Sequence, residues 1–95
     1  MSNPILSGKE IESSIAPVVV DVLAELELSL RNWPPYNSAH EGYGVLAEEV
    51  DELWDHVKTN QKRRDLRAMR QEAIQVAAVA MRFAIDLCDE ERGRK

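Results

Sequence analysis

Carboxylates recur at helical spacing in the middle of this chain. The segment Leu46–Trp54 contains four of them, at Glu48, Glu49, Asp51 and Glu52. Residues three and four apart lie on one face of a helix, so Glu48, Glu49 and Glu52 share a side whereas Asp51 points away. Such a set is either a solvated acidic face or one half of a site for a hard divalent cation, which prefers oxygen ligands.

A further carboxylate, Glu72, lies within a later apolar segment. A buried carboxylate without a partner is costly or becomes protonated, so Glu72 requires a cation. The candidates are Arg67, Arg70 or Arg82, or a metal that Glu72 shares with the acidic group Glu48–Glu52. If the two segments face each other, so much negative charge is unfavourable unless a cation neutralises it. We therefore predict a divalent metal site between them.

Three helices must position these groups. Apolar residues recur at spacings of three and four from Val18 to Leu30, and Pro17 suits the first turn of a helix, which predicts a helix over 15–32. Ser38 with Glu41 forms a capping-box pattern at the start of a second helix that extends to about Thr59. Asp65 is a predicted cap of a third helix, over about 66–90.

The predicted second and third helices have apolar faces of different width. On the second helix one stripe borders the acidic strip and consists of Tyr43, Leu46, Val50, Leu53, Trp54 and Val57. The third helix is apolar on two sides. Its predicted main face consists of Met69, Ala73, Val76, Ala77, Ala80, Phe83, Ala84 and Leu87, and its second face of Ile74, Ala78, Met81, Ile85 and Cys88. A helix with two apolar faces is either central in a bundle or at a subunit interface, and with only three helices available we expect the interface.

We therefore predict an all-α fold in which three main helices form a four-helix-type bundle core through homo-oligomerisation, as a dimer or tetramer. The predicted divisions are a loose N-terminal arm at 1–14, a single helical domain at 15–90 and a charged tail at 91–95. The net charge of −5 does not favour nucleic-acid binding. Since no apolar run is long enough for a bilayer span and the chain has one cysteine, we expect no membrane association and a cytoplasmic location.

Two other segments offer groups that bind ligands. Pro34 and Pro35 force an extended loop after the first helix, where Trp33 and Tyr36 either cap the core or stack on the ring of a ligand, with Asn37 beside them. Basic residues surround the connection between the second and third helices, either as solvated cations near a helix end or as phosphate contacts. These residues are Lys58, Arg63, Arg64, Arg67 and Arg70.

The acidic residues also match a known order. Glu48-Glu49-x-x-Glu52, nineteen residues, and then Glu72-x-x-Gln75 resembles the MazG-like all-α NTP pyrophosphohydrolase family, whose pattern is E-E-x-x-E followed by E-x-x-D on the next helix. The resemblance covers about 36–88. It departs at Gln75, where glutamine keeps a neutral oxygen ligand but lacks the charge of aspartate.

The resemblance implies Mg²⁺-dependent hydrolysis, with Mn²⁺ as an alternative metal, of a nucleoside triphosphate to the monophosphate and pyrophosphate, and a house-cleaning role in the nucleotide pool. It implies that Glu48, Glu49 and Glu52 are catalytic and that these three, Glu72 and Gln75 bind the metal. For the substrate we expect Lys58 and Arg67 at the phosphates and Trp33, Tyr36 or Asn37 at the base. The alternative is a non-catalytic helical binding module on the same scaffold.

Overall fold

The structure, a computed structural model, describes residues 5–89 of the chain. These residues form three α-helices, α1 (Gly8–Asn32), α2 (Ala39–Val57) and α3 (Leu66–Leu87), and a short 3-10 helix (Gln61–Arg63) that precedes α3. No strand occurs in this range, so the all-α prediction is confirmed. Because α1 and α2 both pack against α3, the last helix is the central element.

The first helix begins earlier than predicted. The Ser7 hydroxyl accepts a hydrogen bond from the backbone N–H of Glu10 (3.1 Å), and the Glu10 carboxylate accepts one from the backbone N–H of Ser7 (2.8 Å). This capping box starts the helix at Gly8, so 8–14 are helical and the prediction of a loose arm there was wrong. Pro17 consequently stands inside α1 and not in its first turn.

The predicted caps of α2 and α3 are present. The Ser38 hydroxyl accepts from the backbone N–H of Glu41 and the Asp65 carboxylate from that of Ala68, both at 3.1 Å. The predicted capping box is incomplete, because the Glu41 carboxylate accepts from the backbone N–H of Asn37 (2.5 Å) and not from that of Ser38. Both helices end two or three residues before their predicted ends. The predicted tail, 91–95, lies outside the described residues.

The apolar core joins α1 to α3. Val22 and Leu26 of α1 pack against Ile74 and Ala78 of α3. The α3 residues come from the predicted second face, while Ala73, Ala80 and Ala84 of the predicted main face are exposed. The main-face prediction was therefore wrong for these alanines. Phe83 and Leu87 of the same predicted face are half-buried and lie close to Gly42 of α2, so α3 packs one side against each of the other helices.

The second helix is also rotated relative to the prediction. The buried or half-buried residues of α2 include Gly42, Val45, Leu46, Glu49, Leu53 and His56. At about 100° per residue, this face is centred about 80° from the predicted stripe and close to Glu49. Tyr43, Val50, Trp54 and Val57, predicted to be buried, are exposed. The contact with α3 thus turns Glu49 towards the interior of the helix pair.

Candidate metal centre

Three carboxylates from two helices converge between α2 and α3. Glu49 and Glu52 of α2 and Glu72 of α3 each offer a carboxylate oxygen, and these oxygens lie within 4.8 Å of one another. Glu49 and Glu72 are half-buried, whereas Glu52 is exposed. The prediction that the two acidic segments face each other is confirmed. We refer to Glu49, Glu52 and Glu72 as the acidic cluster.

The arginines considered as partners of Glu72 do not neutralise it. The Arg70 guanidinium pairs with Asp21 at 2.7 Å, and Arg82 pairs with Asp86 at 2.9 Å. The third candidate, Arg67, forms no ion pair with any described residue. The charge of Glu72 is therefore not compensated by a basic side chain within the described part of the chain.

The electrostatics of Glu49 fit a cation site. Its Oε1 atom is buried and has no hydrogen-bond partner among the described residues. Burial raises the pKa of this carboxyl above its usual value, and the negative charges of Glu52, Glu72, Glu48 and Glu25 raise the pKa further. A buried acceptor in a group of like charges is stabilised by a cation, and carboxylate oxygens suit Mg²⁺ and Mn²⁺.

Glu48 was predicted to be a ligand, but it lies outside the acidic cluster. Successive residues of a helix differ in direction by about 100°, so Glu48 points away from the α3 contact that holds Glu49. Its side chain is exposed, although its charge contributes to the raised pKa of Glu49. Asp51 is exposed, as predicted.

Gln75, the other predicted ligand outside the acidic cluster, bonds to a carboxylate that the sequence analysis did not identify. Its amide Nε2 donates to Glu25 Oε1 of α1 at 2.7 Å, and the Gln71 amide lies 3.4 Å from Glu25 Oε2. Glu25 follows the buried Val22 by three residues, so it lies beside the apolar stripe of α1, as Glu49 lies beside that of α2. The position of Glu25 beside an apolar stripe is the feature of the sequence that could have identified it as a candidate site residue.

A cleft of about 600 Å³ is bordered by α1, the following loop, the start of α2, and α3, and none of the three carboxylates of the acidic cluster lines it. The three predicted base contacts, Trp33, Tyr36 and Asn37, all line it. Trp33 is 69% exposed, so it does not cap the core, whereas Tyr36 is half-buried. Glu25 and Gln75 also line the cleft, and Gln75 follows Glu72 of the acidic cluster by three residues on α3.

A buried ion pair fixes the loop of this cleft. Arg82, which is 2% exposed, donates to the Ser29 carbonyl and hydroxyl, to the Trp33 carbonyl (2.8 Å) and to the Asp86 carboxylate (2.9 Å). Asp86 Oδ2 also accepts from the backbone N–H of Tyr36 (3.1 Å). The sequence analysis did not identify this role of Arg82 and Asp86, which hold the loop against α3.

The predicted phosphate contacts lie elsewhere. Lys58 caps the end of α2 and pairs with Asp55 at 3.1 Å, and Arg67 is exposed in the first turn of α3. Neither residue lines the cleft. Arg64, from the same basic group, donates to the Val57 carbonyl at 2.6 Å and so stabilises the end of α2. Lys58 and Arg67 as phosphate contacts remain predictions.

Comparison of the chain with protein-family models, curated proteins and solved structures gives no match. None of the helices in residues 5–89 has the length and apolar character required to cross a membrane. The functional interpretation therefore depends on the geometry of the acidic cluster and its cleft.

Proposed function

We propose that this protein is a Mg²⁺-dependent nucleoside triphosphate pyrophosphohydrolase that converts a (d)NTP to the (d)NMP and pyrophosphate. The observation that carries the proposal is the buried, unpartnered Oε1 of Glu49 within three carboxylates from two facing helices. The order of Glu48, Glu49, Glu52 and Glu72 in the sequence, which resembles the MazG-like family, supports the same assignment.

In this proposal Glu49, Glu52 and Glu72 hold the divalent cation. When bound, the cation would neutralise phosphate charge and lower the pKa of the attacking water. A carboxylate oxygen of the acidic cluster that is not engaged by the cation accepts the proton of that water as general base. Glu48, exposed beside the acidic cluster, adds negative charge without lying among the three facing oxygens.

The cleft supports a nucleoside as the part of the substrate that sets specificity. Its volume of about 600 Å³ falls in the range of small-molecule sites, about 300–1,000 Å³. The exposed ring of Trp33 offers a stacking surface, and the Asn37 amide offers a donor and an acceptor to a base. Gln75, which lines the cleft, follows Glu72 by three residues on the same face of α3, so in this proposal the phosphates extend from a base in the cleft along α3 towards the carboxylates.

We further propose that the protein acts as a homodimer or tetramer in the cytoplasm. Apolar side chains stay exposed along α1 and α2, and exposed apolar patches of this extent are typical of interfaces. Among them are Ile11, Ile15, Val18, Val19, Leu23, Val50 and Trp54. The single cysteine, Cys88, is consistent with a reducing compartment.

A second candidate function is a non-catalytic helical binding module. Gln75 favours it, because this residue replaces the aspartate of the catalytic pattern with a neutral amide. The same exposed apolar surfaces would then serve a partner protein. Turnover distinguishes the two candidates, since a binding module leaves nucleotides intact.

The decisive experiment incubates the protein with each NTP and dNTP and Mg²⁺ and measures monophosphate and pyrophosphate. We expect Glu49→Gln and Glu72→Gln each to abolish turnover, and Asp51→Asn, the same chemical change on the opposite side of α2, to retain it. If both cluster variants stay active, the metal assignment is wrong. If the folded wild-type oligomer turns over no nucleotide, the binding-module candidate replaces the enzyme.

A further inference from the structure

Glu25 occupies an unusual position among the acidic residues of α1. Asp21, one turn earlier, pairs with Arg70 at 2.7 Å, and Glu27 pairs with Arg31 at 2.9 Å. The hydrogen-bond donors to Glu25 are both neutral side-chain amides. No basic side chain in the described residues therefore forms an ion pair with Glu25, although Glu25 is half-buried.

The hydrogen bond from Gln75 determines how that glutamine is oriented. A carboxylate can only accept, so the amide nitrogen of Gln75 must face Glu25. Its carbonyl oxygen receives no hydrogen bond from a described side chain or backbone group. Gln75 thus fixes a charged carboxylate with its nitrogen and keeps a neutral oxygen as a potential ligand.

We propose that Glu25 is a positioning residue of the metal centre, held by Gln75, and that it supplies from α1 the negative charge that position 75 lacks on α3. This inference rests on the proposed function, since it assumes a divalent cation at the acidic cluster. Two observations support it beyond the hydrogen bond. Gln75 follows Glu72 of the acidic cluster by three residues, which places both on one face of α3, and Glu25 and Gln75 line the same cleft.

The proposal predicts a loss of metal affinity when the charge is removed without loss of the hydrogen bond. Glu25→Gln keeps the shape and can still bond to the Gln75 amide. Removal of a partner outside the direct ligand set typically lowers metal affinity by about 10- to 100-fold. We therefore expect the dissociation constant of Glu25→Gln for Mn²⁺ to be at least about tenfold higher than that of wild type. The affinity is measured on nucleotide-free protein from the electron paramagnetic resonance signal of free Mn²⁺. Glu27→Gln, the same change two residues away, should bind as wild type.

A charge-relocation variant separates electrostatics from packing. Glu25→Gln combined with Gln75→Glu restores a carboxylate–amide pair and moves its charge to α3, so we expect Mn²⁺ affinity to recover to within about threefold of wild type, a difference of less than about 1 kcal/mol. Gln75→Glu alone adds a charge and should bind Mn²⁺ more tightly than wild type. If the hydrogen bond of Glu25 only links α1 to α3, Glu25→Gln binds Mn²⁺ with the affinity of wild type, and the proposal is wrong.

The failure of this inference can be distinguished from the failure of the proposed function. If Glu49→Gln eliminates Mn²⁺ binding while Glu25→Gln leaves it unchanged, the metal centre stands and the role of Glu25 is refuted. If wild type binds no Mn²⁺, or Glu49→Gln binds as wild type, both proposals fail. Circular dichroism melts check that each variant is folded. If Glu25→Gln does not fold, the Mn²⁺ affinity of Gln75→Glu provides an independent test of the role of charge at this position.

Discussion

Glu49→Gln should make the metal-free protein more stable while it removes the proposed function. The substitution keeps the shape of the side chain, removes one of three like charges, and introduces an N–H donor next to the Glu52 and Glu72 carboxylates. A buried acceptor without a partner, such as Glu49 Oε1, costs about 1–3 kcal/mol. Taking the lower end, we expect a free energy of unfolding in EDTA that is about 1 kcal/mol higher, equivalent to a melting temperature about 4–8 °C higher.

Magnesium should reverse this order. A ligand that binds only the folded state at 100 times its dissociation constant stabilises it by about 2.7 kcal/mol. Wild type gains this stabilisation, whereas Glu49→Gln loses most of it with a principal ligand. The two melting temperatures should therefore cross as Mg²⁺ is added, with the variant more stable in EDTA and wild type more stable at saturating Mg²⁺.

The advantage of Glu49→Gln in EDTA should also depend on pH. Burial, together with like charges, raises the folded-state pKa of Glu49 above the ordinary value of a glutamate carboxyl. Between the unfolded-state pKa and the raised one, the folded protein binds more protons than the unfolded chain, so the contribution of Glu49 to stability falls as pH rises. Below about pH 4.5 the carboxyl is protonated in both states. There the difference in charge between wild type and variant disappears, and the gap between their melting temperatures should narrow.

Thermal melts followed by circular dichroism, in EDTA and in Mg²⁺ across this pH range, provide the assay. Asp51→Asn is the matched control, because it removes a carboxylate from the exposed side of α2 and should change stability by no more than about 0.5 kcal/mol. A Glu49→Gln variant that is less stable than wild type in EDTA at neutral pH would refute the reasoning, since Glu49 would then have a stabilising partner within the protein.

Three further predictions concern the scaffold. Arg82→Met leaves the Asp86 charge buried and should lower the free energy of unfolding in urea by about 3–5 kcal/mol. The double variant Arg82→Met/Asp86→Leu should lower it by less, and an equal loss in both variants would argue against a coupled pair. Gly42→Ala places a methyl group 2.8 Å from a side-chain carbon and should cost about 1–3 kcal/mol, whereas Gly44→Ala, which meets no atom within 4 Å, should gain about 1 kcal/mol from helix propensity. Thermal melts that rank these alanine variants in reverse would contradict the packing. Light scattering of the wild-type protein should give the mass of a dimer or tetramer, and the Leu23→Asp variant should have a smaller mass. A wild-type monomer would disprove the assembly.

Helix starts could be predicted from the sequence because capping is local chemistry. Ser38 and Asp65 each accept a backbone hydrogen bond from a residue three positions ahead, and the sequence alone contains that pattern. Ser7 and Glu10 carry the same signature at the start of α1, but Pro17 was interpreted as a first-turn residue and this moved the predicted start. A proline ten residues into a helix is unfavourable, and local rules do not anticipate that the helix continues through it.

The rotation of α2 could not be predicted in the same way. Periodicity identifies the apolar side of a helix, but it does not identify the surface that covers that side. In this chain Tyr43, Val50 and Trp54 remain exposed, while Glu49 faces α3. The rule that apolar residues face the core gave the wrong direction for α2, because the apolar stripe of this helix is not the side that α3 covers.

The acidic cluster is explained best by the polar residues of α3. Glu72, Gln75, Arg82 and Asp86 follow spacings of three, seven and four, which place them on one side of the helix, in the angle between α1 and α2. A periodic polar series suggests a solvent-facing side, yet Arg82 and Asp86 are only 2% exposed. Burial at this spacing requires each group to be satisfied: Arg82 and Asp86 pair with each other, and Gln75 bonds to Glu25. Among these four residues only Glu72 has no hydrogen bond or ion pair to a described residue, and its carboxylate lies beside those of Glu49 and Glu52, so this imbalance of charge on α3 supports the proposed cation.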